Sequence, residues 1–152
     1  MNRIAGIPAL QERVGTILGV SDWVSVEQER IQAFADATGD QQWIHVDPER
    51  CERESPYRTT IAHGYLTLSL LPMLSAQVVT VDGIAARLNY GLNRVRFPGP
   101  VPAGSRVRAT FRLTSVEPQG DNRFLVTTEA TVELDGGSRP VCVAEMVAMY
   151  VV

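Results

Sequence analysis

The chain has 152 residues, with 14 basic and 17 acidic side chains and a formal net charge of −3, and every basic side chain is arginine. The absence of lysine excludes Schiff-base chemistry, a P-loop lysine and a lysine general base. A slightly acidic chain is also a poor candidate for general nucleic-acid binding, so no nucleic-acid partner is expected. The length and the 45% hydrophobic content predict one domain over residues 1–152, with an N-terminal extension over residues 1–20.

The cellular compartment is predicted from the cysteines and the N-terminus. Cys51 and Cys142 are far apart in the sequence, which favours neither a disulfide framework nor a CxxC metal or redox site. Polar and charged residues interrupt the apolar run of residues 1–15, so this segment does not have the core of a signal peptide. We therefore expect a cytoplasmic protein.

The first clear helix is predicted after Ser25. Residues 25–28 have the Ser-x-x-Gln form of a capping box, and apolar residues recur at helical spacing up to Ala35. Gly39 is a natural helix end, which leaves Asp40 on irregular backbone. A second, acidic helix is predicted over Pro48 to Glu54 and is followed by a polar loop.

No charged residue occurs between Gly64 and Val81. Eighteen uncharged residues are long enough for a membrane span, but Pro72, Gln77 and several hydroxyl side chains make this interpretation weak. The alternative is a central helix buried on all sides, because a helix without a polar face must be covered. We favour the buried helix, so no membrane partner is expected, and Pro72 is predicted to kink or divide it.

The second half of the chain has the alternating pattern of β-strands. Polar and apolar residues alternate over residues 106–113 and 124–134, and turn signals fall at residues 98–104, 118–122 and 135–137. This spacing predicts about four strands. The last one, residues 140–152, is apolar on both faces except for Glu145, as expected of a central strand or a subunit contact. Helices followed by an antiparallel sheet predict an α+β fold in which the sheet wraps around the charge-free helix.

The two histidines lie close to the most polar part of this pattern. Asp40 precedes His45 by five residues, and on the loop after Gly39 the two side chains can converge. A carboxylate and an imidazole together can hold and activate one water, which is worth about 10² to 10⁴ in rate. A helix-capping aspartate with a surface histidine is the structural alternative. A metal site formed by Asp40, His45 and Asp47 is a further, weaker alternative, because zinc usually needs a third nitrogen or sulfur ligand.

A second candidate element is His63-Gly64, at the start of the charge-free helix. Unpaired N–H groups at a helix start can receive a developing negative oxygen, and Gly64 leaves them unhindered. Two structural alternatives remain open. Gly64 can simply permit close helix packing, and His63 can be a hydrogen-bonded core or loop residue.

These motifs together resemble a known family. The segment Phe34-Ala35-Asp36-Ala37-Thr38-Gly39-Asp40-x4-His45-x-Asp47, followed by Ile61-Ala62-His63-Gly64-Tyr65-Leu66-Thr67-Leu68-Ser69, looks like the MaoC-like (R)-specific enoyl-CoA hydratases. Downstream, Asn93-x-Val95-Arg96-Phe97-x-x-Pro100-Val101-x-x-Gly104 is also similar to the family. Within it, the chain looks most like the actinobacterial nodulation-protein-N-like hydratases. The resemblance covers about residues 20–150 and implies a single hot-dog domain, a long central helix wrapped by an antiparallel β-sheet, that forms a homodimer.

The resemblance also implies roles for individual residues. Asp40 and His45 would activate the water that adds to C3 of a trans-2-enoyl thioester, and the Gly64 N–H would bind the thioester oxygen. Ser69 would support the catalytic carboxylate. The chain departs from the family's usual GDxNPxH form because Gln42 and Trp43 replace the common Asn and Pro. Gln42 keeps the ability to donate and accept hydrogen bonds, so the departure bears on substrate positioning more than on water activation.

The substrate would be an acyl-CoA thioester, and the reaction needs no separate cofactor and no metal. Residues 83–116 contain six arginines and no carboxylate, and we predict that some of them, Arg94 and Arg96 first, contact CoA phosphates. The structural alternative is that these arginines form the solvent face of half-buried strands. His63 and Tyr65 are further candidates for substrate contacts.

Two other functions remain open from the sequence. The same fold is used by acyl-CoA thioesterases, which direct water at the carbonyl carbon instead of at C3. The chain could also be a non-catalytic, acyl-thioester-binding subunit of a hot-dog heterodimer. Thiol release from a saturated acyl-CoA would indicate the thioesterase, and binding without turnover would indicate the non-catalytic subunit.

Overall fold

A computed structural model describes residues 1–152 and contains eight strands and six helices. The chain begins with three short strands and a helix, continues through five short to medium helices and one further short strand, and ends in four long strands. In chain order the elements are β1 (Asn2–Ile4), α1 (Gly6–Gln11), β2 (Ile17–Val20), β3 (Val24–Val26), α2 (Gln28–Thr38), α3 (Trp43–Val46), α4 (Pro48–Glu54), α5 (Gly64–Ser69), α6 (Leu71–Val78), β4 (Val79–Val81), β5 (Ala86–Arg96), β6 (Ser105–Pro118), β7 (Arg123–Leu134) and β8 (Pro140–Val151).

The main sheet is antiparallel and has the order β2-β6-β7-β8-β5, with β3 also paired to β6. The predicted number of four strands is confirmed by its four long strands, the alternating segments lie in β6 and β7, and the predicted turns lie between the strands. Strand β8 lies between β7 and β5, which explains why it is apolar on both faces. Helix α6 packs on β6 and β2, and α5 packs on β8, so the sheet curves around the helical pair. The predicted α+β architecture is confirmed.

The predicted helix of residues 64–81 is divided into two. Helix α5 ends at Ser69 and α6 begins at Leu71, with Pro72 in the first turn of α6, where its missing N–H removes no helical hydrogen bond. The division at Pro72 is therefore confirmed, and residues 79–81 form strand β4 instead of helix. No helix of the structure combines the length and the apolar character needed to cross a membrane.

The prediction that this helix is buried on all sides is wrong for the single chain. Leu66, Leu71 and Leu74 are buried against the sheet, whereas Tyr65 is 68% exposed and Met73 is 39% exposed. The physical reason is that the sheet covers only one side of the helical pair. The other side is free of charge and open to solvent in this structure.

Helix α2 begins later than its sequence pattern predicts. Ser25 lies in β3, paired with Arg106 of β6, and Glu27 occupies the helix cap without a side-chain capping hydrogen bond. Strand pairing therefore competes successfully with the local capping signal. The predicted helix end is confirmed, since Gly39 has φ +80° and its N–H donates to the Ala35 carbonyl at 2.8 Å.

Residues 1–20 pack against the rest of the domain. Strand β1 pairs in parallel with β4, and β2 pairs with β6. Four apolar side chains of this segment belong to the hydrophobic core, namely Ile4, Ile7, Leu10 and Leu18. The short strands β1 to β4 have no counterpart in the sequence analysis, because three or four residues are too few to show a period.

We expect Leu10→Ala to lower the free energy of unfolding by about 2 to 5 kcal/mol, because its side chain is 1% exposed and its removal leaves a cavity. Gln11→Ala, at the exposed neighbouring position, is the matched control. Urea unfolding followed by circular dichroism measures both values. Equal stability of the two variants would show that residues 1–20 contribute nothing to the core.

Candidate active site

Three backbone hydrogen bonds hold residues 60–62 between two other parts of the chain. The Ile61 N–H donates to Ile44 O at 3.0 Å, and the Ala62 N–H donates to Val101 O at 2.8 Å. Thr60 O accepts from the Ala103 N–H at 2.9 Å. Because the segment is fixed on both sides, the next residues, His63 and Gly64, are held beside the short helix α3.

Asp40, His45 and His63 form a cluster at this point. At least one side-chain oxygen or nitrogen of each lies within 4.8 Å of the corresponding atoms of the other two. Both histidines are buried and their rings stack, with centroids 3.8 Å apart and an interplanar angle of 25°, whereas Asp40 is exposed. The structure thus brings Asp40 and His45 together, although His45 lies on the one-turn helix α3 and not on the irregular backbone that we predicted.

The tautomer of His45 follows from its hydrogen bond to the backbone. Its Nδ1 lies 2.7 Å from the Ile61 carbonyl, which can only accept, so Nδ1 carries the proton and Nε2 carries a lone pair. The backbone of His45 is also held, since its carbonyl accepts from Gln28 Nε2 at 2.8 Å. Gln28 Oε1 in turn accepts from the Thr60 hydroxyl. His45 is therefore an oriented acceptor.

Burial lowers the pKa of His45 from its ordinary value of 6.5, and the neighbouring His63 lowers it further. The hydrogen bond to Ile61, which is the second largest effect, and the charge of Asp40 both raise the pKa, but the net shift is downward because burial is the largest effect. His45 is consequently a neutral imidazole at pH 7. A neutral ring with a free Nε2 can take a proton from a bound water.

His63 holds the backbone of Asp40. Its Nε2 lies 2.9 Å from the Asp40 carbonyl and donates to it, which leaves Nδ1 as an unprotonated acceptor. This Nδ1 is buried without any hydrogen-bond partner. Phe34 packs on the other side, with ring centroids 5.0 Å apart. At 3% exposure His63 lies inside the protein, where it contacts Asp40 and His45 and does not line the pocket in front of His45.

The donor geometry of the cluster fits a metal ion poorly. The lone pairs of stacked imidazoles lie in nearly parallel planes, so they do not converge on one point. His45 Nδ1 and His63 Nε2 are both occupied by backbone carbonyls. Asp47, which the sequence analysis also considered as a ligand, accepts from the Arg50 N–H at 2.9 Å and caps α4.

A pocket of about 350 Å³ opens in front of His45. Gly64 lies in its wall as the first residue of α5, so the Gly64 N–H has no acceptor within the helix. A Cβ atom at position 64 would lie 2.9 Å from Phe97 Cδ2, closer than real contacts allow. Gly64 therefore permits close packing against Phe97 and at the same time leaves a free donor at the pocket.

Some predicted site residues do not line this pocket, and Asp40 is one of them, although it lies beside His45. Ser69 donates its hydroxyl to Tyr65 O at 2.7 Å and lines a separate groove with β5 and β8. Tyr65 points outward and meets the Phe97 ring edge-on at 6.0 Å. Gln42 precedes α3 on the surface, where its N–H lies 3.5 Å from Asp40 Oδ1.

Tyr57, Phe97 and Arg139 also line the pocket, and none of the three was proposed as a site residue from the sequence. They come from the loop after α4, the end of β5 and the turn before β8. No spacing within the sequence connects these three segments, and only their packing brings them together.

Most arginines of the acid-free stretch 83–116 have partners from other parts of the chain. Arg106 pairs with Asp135 and Arg108 with Glu133. Two further arginines of the stretch also have partners: Arg112 donates to Gly15 O, and Arg87 lies over the Tyr150 ring. Arg94 and Arg96 are exposed without an acidic partner, but neither lines the His45 pocket. The solvent-face alternative thus describes Arg106 and Arg108.

We expect the His45 imidazole to titrate with a midpoint below 6.5. Because the unfolded chain then takes up the proton first, the free energy of unfolding decreases as the pH falls through 6.5 and below. Nitrogen-15 NMR of the imidazoles measures the midpoint and shows at neutral pH whether Nε2 is unprotonated. The urea-unfolded chain is the reference, and a folded midpoint at or above the reference would contradict the prediction.

Two named proteins align with almost the whole chain. The 3-hydroxyacyl-thioester dehydratase Z of Mycobacterium tuberculosis (strain ATCC 25618 / H37Rv) is 52% identical over 151 residues, which cover 99% of this chain and 99% of that protein. Nodulation protein N of Rhizobium leguminosarum bv. viciae is 44% identical over 147 residues, 96% of this chain and 89% of that protein. The unliganded R-hydratase PhaJ1 of Pseudomonas aeruginosa superposes with a TM-score of 0.69 at 25% identity, covering 90% of this chain and 81% of that one.

The family model described as MaoC like domain matches residues 9–135. This range contains α2, the Asp40 and His45 cluster, Gly64 and the first three long strands of the sheet. The match covers most of the chain, and the relatives agree with it over nearly the full length. The chain therefore belongs to the MaoC-like dehydratase family and has the hot-dog fold of that family.

Proposed function

We propose that this protein is a hydro-lyase that adds water reversibly to the double bond of a trans-2-enoyl-CoA and forms the (3R)-hydroxyacyl-CoA. The observation that carries the proposal is the neutral, oriented His45 beside the Asp40 carboxylate, at a pocket with a free Gly64 N–H. The relatives named as a dehydratase and an R-hydratase support a hydro-lyase activity. The preference for the (3R) product rests on the resemblance to the (R)-specific hydratases.

The proposed reaction needs a base, an acid and an oxyanion donor. A water held between Asp40 and His45 Nε2 loses a proton to the imidazole while its oxygen bonds to C3 of the enoyl thioester. The electron pair of the double bond moves toward the thioester oxygen, and the Gly64 N–H receives the developing charge. Such a donor is worth about 3 to 4 kcal/mol in a transition state. The proton taken from water is then available for C2, so atoms and charges balance without a metal or a redox cofactor.

We expect Asp40→Asn and His45→Gln each to lower the turnover of crotonyl-CoA by about 10² to 10⁴, because each change removes one of the two groups that activate water. Loss of the enoyl absorbance measures the rate, and circular dichroism verifies the fold. Glu49→Gln removes a carboxylate from the first turn of the nearby helix α4 and is the matched control. Coupling to stereospecific dehydrogenases determines the configuration of the product.

Turnover near that of the unmodified protein in both variants would refute the proposed roles of Asp40 and His45. Free thiol release from a saturated acyl-CoA would instead support the thioesterase alternative. Binding of crotonyl-CoA without either reaction would support a non-catalytic subunit of a hot-dog heterodimer.

We further propose that the protein forms a homodimer through β5 and the open side of the helical pair. Leu88, Tyr90 and Leu92 of β5 are 53%, 61% and 46% exposed, and β5 is the edge of the main sheet. A long, exposed edge strand with apolar side chains is a surface that normally pairs with another chain. Tyr65 and Met73 extend the same apolar character onto the helices. A second copy of this chain is the occupant that the resemblance implies.

We expect the unmodified protein to sediment as a dimer and Tyr90→Asp to sediment as a monomer, because a charge in this contact would be buried without a partner. Val20→Asp places the same charge on an exposed apolar residue at the opposite edge of the sheet and is the control. Sedimentation velocity measures both. A monomeric unmodified protein would refute the homodimer and favour a partnership with a different hot-dog chain.

A further inference from the structure

We propose that Arg139 is the residue that binds the phosphate of the carrier arm of the thioester substrate. This inference rests on the proposed function, because it assigns a binding partner within the same pocket. It also moves the phosphate site away from Arg94 and Arg96, the positions expected from the sequence.

Arg139 differs from the other arginines because its guanidinium group has no partner within the chain and lies at the pocket. Ten of the fourteen use the guanidinium group in an ion pair, a hydrogen bond to a side chain or carbonyl, or a contact with an aromatic ring. The four without any such contact are Arg53, Arg94, Arg123 and Arg139. Of these four, only Arg139 lines the pocket that contains His45 and Gly64. It is the one uncommitted cation at the candidate active site.

The surroundings of Arg139 leave its charge uncompensated. No aspartate or glutamate lines the pocket, and Arg139 is the only arginine in its lining. The Arg139 side chain lies along the turn of residues 98–100, since a Cβ atom at Gly99 would be 3.5 Å from Arg139 Nε. Arg139 is exposed, and its guanidinium group donates no hydrogen bond within the chain, so its N–H donors are free. Arg139 is therefore a cationic group at the edge of a pocket whose lining contains no acidic side chain, and the Asp40 carboxylate lies beside His45 without lining the pocket.

A phosphate is the ligand that matches this arrangement. In the proposed reaction the acyl group lies at His45, and the carrier arm must leave the pocket toward solvent. Both possible carriers, CoA and an acyl carrier protein, join a pantetheine arm to a phosphate. A guanidinium binds phosphate through parallel N–H donors, and such charge-assisted hydrogen bonds are stronger than neutral ones. The whole chain has a net charge of −3, which repels a negatively charged substrate. A positive group at the pocket therefore favours the approach of the substrate.

The test compares three thioesters that differ in their phosphates: crotonyl-CoA, crotonyl-4′-phosphopantetheine and crotonyl-pantetheine. We expect Arg139→Gln to raise the KM of the phosphate-bearing substrates by about 10- to 100-fold, because the variant loses one charge-assisted contact with the phosphate. The kcat should change little. The KM of crotonyl-pantetheine should stay the same. Arg123→Gln is the matched control, because Arg123 is also free of partners and lies at the far end of the β7 and β8 pair. Dissociation constants from titration calorimetry repeat the comparison without depending on turnover.

A rise with both phosphate-bearing compounds supports contact with the pantetheine phosphate that CoA and carrier proteins share. A rise with crotonyl-CoA alone overturns the proposal, because Arg139 would then contact a phosphate that only CoA carries and not the pantetheine phosphate. An equal rise with all three thioesters, or no rise with any, overturns the proposal, because the lost contact would then not involve phosphate. An unmodified protein that binds these thioesters but hydrates none of them would refute the proposed function and leave the calorimetric test of Arg139 intact.

Discussion

The site depends on one hydrogen bond, from His45 Nδ1 to the Ile61 carbonyl. This bond places the imidazole proton on the inner nitrogen and leaves Nε2 as an acceptor. It exists because the Ile61 N–H is itself held by Ile44 O, so the carbonyl lies at a defined place beside α3. The stacked ring of His63 then holds the Asp40 backbone through the Asp40 carbonyl. Two backbone carbonyls thus orient both imidazoles.

The helical pair α5 and α6 is covered by the sheet on one side only, which leaves an apolar surface exposed. A segment of eighteen residues without charge is covered by the sheet on one side, while Tyr65 and Met73 remain open on the other. The edge strand β5 is exposed over almost its whole length, next to this open side. Burying both surfaces against a second copy would remove apolar area from water and cover an unpaired strand edge. The exposed apolar side of the helices and the unpaired edge of β5 would thus both be covered by the same contact.

Long, periodic segments were predicted well from the sequence. Two of the four long strands follow from period-2 alternation, the number of strands follows from the turn signals, and the break at Pro72 follows from a missing N–H, all of which are properties of local sequence. Ser25 shows where this approach fails, because pairing with β6 outweighs the capping signal. The strands β1 to β4 are too short for a period and form only because a partner strand lies beside them. The placement of His45 beside Asp40 followed from five residues of spacing, but its tautomer and its neutral state depend on Ile61 and on burial.

The sequence by itself determined which chemistries are open to this protein. Without lysine and with only two histidines, both near Asp40, acid and base work is confined to one region of the chain. Only the tertiary structure decided which arginines are free. The six arginines of residues 83–116 look alike in the sequence, yet Asp135 and Glu133 neutralise two of them from other segments. Arg139 enters the pocket from a turn far along the chain. Charge pairing and pocket lining are decided by contacts between distant segments, and no local pattern contains that information.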